Sequence, residues 1–75
     1  MEQRIFEASV GDLQKYSGMT VNERLFSAGL MIEFENACKV RDRANMIGLL
    51  NKVELEDQSA IIVDKILKDP GFYGY

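Results

Sequence analysis

The side chain best equipped for covalent chemistry is Cys38, since a thiolate is a strong nucleophile and a soft metal ligand. Activating it takes a neighbouring base, most often histidine, and the 75 residues contain no histidine. Cys38 follows Ala37 in a helical pattern, where a thiol packs as a small apolar group, so we assign it no catalytic role. One cysteine without histidine cannot assemble the Cys/His set of a zinc site or the thiolates of an iron–sulfur cluster. Carboxylates alone can hold calcium or magnesium, yet Glu33, Glu35, Glu54, Glu56, Asp57, Asp64 and Asp69 lack EF-hand spacing. No glycine-rich loop opens a helix in a phosphate-binding pattern. These residues therefore predict a protein that is not an enzyme and holds neither metal nor cofactor.

The basic residues offer one further chemistry. Lys39, Arg41 and Arg43 cluster where a helix-turn-helix DNA reader would place its turn. Asp42 interrupts that cluster, and the following helix exposes Asn45, Asn51 and Lys52 rather than a row of arginines. Charge complementation at a helix C-terminus explains the same residues. Nine basic against twelve acidic residues give a net charge of −3, which opposes attachment to nucleic acid or to an anionic membrane.

These groups need elements to position them, and every element read from the sequence is helical. Thr20-Val21-Asn22-Glu23 forms a capping box, after which no proline interrupts a run rich in Leu, Met, Glu and Ala. A long helix is expected over residues 20–40. At 100° per residue Val21, Leu25, Ala28 and Ile32 line one side of it, and Phe26, Leu30, Phe34 and Ala37 nearly the opposite side. Asp42 is a suitable N-cap for a helix over 43–54, whose Met46, Ile47, Leu49, Leu50 and Val53 form one apolar arc. Glu56 or Asp57 caps a helix over 57–69, with Ala60, Ile62, Val63, Ile66 and Leu67 on one face and Pro70-Gly71 ending it. Gly29 and Gly48 fall inside these helices and are read as close backbone approaches or as tolerated glycines. Before Thr20, Ile5, Phe6, Val10, Leu13 and Tyr16 with the Ser9-Val10-Gly11-Asp12 capping box give a short helix or an arm over 1–18, stopped by Ser17-Gly18. The tail over 70–75 holds Phe72, Tyr73 and Tyr75, three of the chain's four Phe and three Tyr. It is expected to pack back on the helices.

The fold class predicted is all-α: one small domain, a three- to four-helix bundle with a long central helix. A single cysteine rules out an intramolecular disulfide, no segment resembles a signal peptide, and the longest apolar run, residues 28–32, falls far short of the ~20 a membrane span needs. A cytoplasmic protein is expected.

The stretch Met19-Thr20-Val21-Asn22-Glu23-Arg24-Leu25, followed by Gly29-Leu30 and Phe34, resembles the opening of small uncharacterised bacterial helical proteins, over residues 19–53. That resemblance implies no activity, cofactor or binding residue, and it opens the possibility that Met19 is an alternative start. With apolar surface in excess and no chemical site, the function expected is protein interaction, with another protein or as a homodimer. An immunity or inhibitor protein masking a basic toxin is the alternative that charge and size suit, and a DNA-binding regulator is the other. Met31, Ile61, Phe34, Phe72, Tyr73 and Tyr75 are the candidate interface residues.

Overall fold

In the computed structural model, which describes residues 16–75, the capping box at Thr20 is complete. Thr20 Oγ1 accepts from the Glu23 amide at 3.1 Å while the Thr20 amide donates to Glu23 Oε1 at 2.8 Å, so two of the four unpaired N–H groups at the helix start are satisfied. The helix it starts is short. α1 (Val21–Ser27) ends after two turns, and α2 (Met31–Lys39) begins a new one. Gly29 causes the break: at φ +74° its amide donates to the Phe26 carbonyl and the Leu30 amide to the Leu25 carbonyl, at 3.1 and 2.8 Å. That 5→2 and 6→1 pair is a Schellman cap, in which glycine adopts the left-handed conformation without the Cβ penalty. The long central helix expected over residues 20–40 is thus two helices. The close-approach reading of the glycines also fails, since a Cβ added at Gly29 or Gly48 would meet no atom within 4 Å.

The break reorganises the two apolar sides expected of a single helix. Leu25 from one stripe and Phe34 and Ala37 from the other all enter the core, because the chain turns between them. Phe26 and Ile32 are left at the surface.

Two more helices end in the same way. After α2, Arg41 at φ 58° lets its own amide reach the Cys38 carbonyl at 3.1 Å and the Asp42 amide reach Ala37 at 2.9 Å. Asp42 then caps α3 (Arg43–Lys52), its carboxylate accepting from the Asn45 amide at 3.2 Å. After α3, Glu54 at φ 66° completes the bonds Glu54→Asn51 and Leu55→Leu50, both 3.1 Å, and brings the buried Leu50 and Leu55 to the flanks of the cap. α4 (Ser59–Lys68) starts two residues later than its pattern suggested. Its N-cap position is Gln58, with no side-chain cap, rather than Glu56 or Asp57; the Ser59 hydroxyl donates instead to the Glu56 carbonyl at 3.4 Å. Ser59 is buried and Ala60 exposed, so the inward arc is Ser59, Ile62, Val63 and Ile66. Pro70 opens a 3-10 turn over Pro70–Tyr73 that Gly74, at φ 91°, closes.

Consecutive helices pack on one another around a shared core in which Leu25, Phe34, Met46, Leu50, Val53 and Val63 are fully buried. Each such side chain contributes about 1.5–3 kcal/mol of hydrophobic free energy. Arg24 ties the two ends of this arrangement together. Its Nη1 donates to the Val53 carbonyl at 2.9 Å, at the C-terminus of α3, and its Nε to the Met19 carbonyl at 3.3 Å. The guanidinium lies 5.8 Å from the ring centre of the buried Tyr16, a cation–π distance. The other residues expected to shape the first segment, Ile5, Phe6, Val10, Leu13 and the capping box at Ser9, lie outside the described residues. No described helix is long and apolar enough to cross a membrane.

Candidate functional site

Cys38 is fully buried in α2, and burial pushes its thiol up from the ordinary range. A hydrogen bond with the Tyr75 side chain and the charge of Arg41 act in the opposite direction but do not prevail, and Glu35 adds to the rise. Burial likewise raises the Tyr75 hydroxyl, helped by the negative charges that Cys38 and Glu35 can carry. Burial of this kind favours the neutral thiol over the thiolate. Among the described residues no three of Asp, Glu and Cys lie close enough together to hold a metal ion.

The basic cluster is used largely within the fold. Arg41 Nη1 donates to the carbonyls of Cys38 and Lys39 at 2.7 and 3.4 Å, and its Nη2 to the Tyr75 main-chain oxygen at 3.3 Å. Those contacts satisfy carbonyls at the negative end of α2 and tie the tail to it. Arg43 faces Asp64 of α4 through two bonds of 2.8 and 3.3 Å. The paired hydrogen bond holds the Asp64 carboxyl below its usual range and raises the Arg43 guanidinium, and both side chains lie at the surface. Among the described residues Lys39, alone of the three, has no hydrogen-bond or ion-pair partner. Between α2 and α3 runs a groove of mixed polarity, about 350 Å³, lined by Glu33, Asn36, Asp42, Asn45 and Lys52 together with Ala37, Val40 and Leu49. No cysteine, serine, threonine or tyrosine lines it.

The candidate interface residues separate into three groups. Phe34 is 2% exposed and belongs to the core, because the turn at Gly29 rotates it inward; it is withdrawn as a surface residue. Met31 and Tyr75 are half-buried. Ile61, Phe72 and Tyr73 are exposed. Sequence reasoning missed Phe26 and Ile32, exposed to 77% and 72%, because it treated residues 20–40 as one helix and placed both on a stripe. The signal that would have found them is Gly29, read as a C-cap. Around that glycine Phe26, Met31 and Ile32 enclose a shallow cavity of about 200 Å³ with no charged residue in its lining.

No protein-family model, no curated protein and no solved structure matches this chain. The functional reading therefore rests on the chain's own surfaces.

Proposed function

We propose that this chain is a non-catalytic protein-interaction domain, and that its corner between α1 and α2 is a self-association surface. The observation that carries the reading is the pair Phe26 and Ile32, more than two-thirds exposed on either side of Gly29, with Met31 lining the same shallow cavity. Two large apolar side chains left in water on one rigid turn cost hydration free energy that a partner recovers, at about 25 cal/mol per Å² covered. The corner is neutral, so nothing in it repels its own copy, and a two-fold axis buries one self-complementary patch twice. The left-handed turn fixes the positions of both side chains before contact, which lowers the ordering cost of association.

A dilution series of amide NMR spectra tests this. Concentration-dependent shifts should concentrate at residues 26–32 and vanish in Phe26→Ser/Ile32→Ser. Spectra that do not change with concentration, or shifts confined elsewhere, would reject the corner as the surface.

A further inference from the structure

The second apolar surface has a different chemistry. Phe72, 78% exposed, sits edge-on to Tyr73 with ring centres 5.0 Å apart. Lys65, Lys68 and Asp69 complete a groove of about 410 Å³ around them. Ile61, 61% exposed, lies on the same face of α4, one turn before Lys65 and two before Lys68.

The cations here are available for a partner. Among the described residues Arg24 and Arg41 are spent on main-chain carbonyls and Arg43 on Asp64, whereas Lys65 and Lys68 have no hydrogen-bond or ion-pair partner. The aromatic side is also held in place. Pro70 fixes the start of the turn, the Tyr75 amide donates back to the Pro70 carbonyl at 2.9 Å, and Tyr75 is tied to Arg41. An exposed phenylalanine on a turn pinned at both ends is preorganised for contact.

We propose that this face docks a protein segment carrying carboxylates beside apolar side chains, an acidic amphipathic helix in its simplest form. Its apolar residues cover Ile61 and Phe72, and its carboxylates meet Lys65 and Lys68 while avoiding Asp69. Charge complementarity selects this occupant: the chain as a whole is acidic at −3, and this groove pairs two free lysines with aromatic walls. An anionic bilayer is less well served, since each basic residue contributes only about 1 kcal/mol there and two lysines must work against a net negative protein. The proposal rests on the reading of the chain as an interaction domain but uses a separate face.

The test is fluorescence anisotropy with a fluorescein-labelled peptide of Leu and Glu at helical spacing, and its Leu/Lys counterpart as control. The Glu peptide should bind saturably and the Lys peptide should not. Lys65→Glu/Lys68→Glu should weaken binding roughly tenfold or more, since two attractions become repulsions, and Phe72→Ser should weaken it by a comparable factor. Both variants should retain wild-type circular dichroism, because the altered side chains are exposed. Phe26→Ser/Ile32→Ser should bind the peptide normally, so loss of the corner's function and loss of this one are distinguishable. Equal binding of both peptides, absent binding of the Glu peptide, or unchanged affinity in the lysine variants would overturn the proposal. So would lysine-dependent binding to phosphatidylserine vesicles in the absence of peptide binding, which would assign the face to a membrane surface.

Discussion

Gly29→Ala and Glu54→Gly should move stability in opposite directions, because both residues occupy the left-handed position that ends a helix. An L-residue in that conformation costs about 1–2 kcal/mol. Glycine offsets part of this by losing more freedom on folding, about 0.5–1 kcal/mol. At Gly29 no atom lies within 4 Å of the Cβ that alanine would add, so no clash enters and the net loss should be about 1 kcal/mol. At Glu54 the side chain is exposed and makes no hydrogen bond among the described residues, while its carbonyl, 3.5 Å from Arg24 Nη1, is kept by glycine. The net gain there should be about 0.5–1 kcal/mol. Urea unfolding followed by far-UV circular dichroism gives the sign directly, and in a domain of this size 1 kcal/mol moves Tm by about 4–8 °C. If alanine at 29 were neutral, or glycine at 54 destabilising, the turns would not be left-handed caps and the division of residues 20–40 into two helices would lose its physical cause.

Leu50→Ala should cost about 2–5 kcal/mol, the range for truncating a fully buried leucine, and an unchanged Tm would remove Leu50 from the core. Arg24→Met should cost about 1–3 kcal/mol, since it leaves the Val53 carbonyl without the donor that crosses from α1; thermal melts of Arg24→Met and Arg24→Lys, in which lysine restores part of the loss, check this. For Cys38 the folded thiol titrates above the unfolded one, so its contribution to stability is complete below the unfolded pKa and is lost as pH rises through the folded value. Stability measured from neutral to alkaline pH should therefore fall less steeply in Cys38→Ala than in the wild type, and parallel curves would contradict that assignment.

The elements whose signals are local were legible in the sequence. The Thr20 capping box, the Asp42 N-cap and the apolar arc Met46, Ile47, Leu49, Leu50 and Val53 all depend on residues within a turn or two of each other, and each stands where its pattern placed it, Ile47 half-buried at the edge of the core and the other four of the arc buried. The helix ends were harder to read, because two of the three Schellman caps carry Arg41 and Glu54 where composition leads one to expect glycine, and the third, Gly29, was read as a close backbone approach or a tolerated glycine inside a helix. That one ambiguity propagated to the surface: Phe34 was taken for an interface residue, and Phe26 and Ile32 for members of two stripes covered by other helices or by another subunit. Arg24 gave no signal either, since its partner at Val53 lies 29 residues away and is a main-chain atom that no side-chain pattern records. Ile61, Phe72 and Tyr73 could be found because an apolar residue among charges on a helix face, or aromatics beyond a helix-ending proline, stand out without knowledge of the packing.

Sedimentation equilibrium across micromolar concentrations, on the wild type and on Phe26→Ser/Ile32→Ser, tests the self-association surface most directly. The wild type should shift with concentration from the 8.5 kDa monomer towards twice that mass, and the double variant should remain at 8.5 kDa with its circular dichroism intact. A wild type that stays at 8.5 kDa throughout, or a variant that associates as strongly as the wild type, would contradict it.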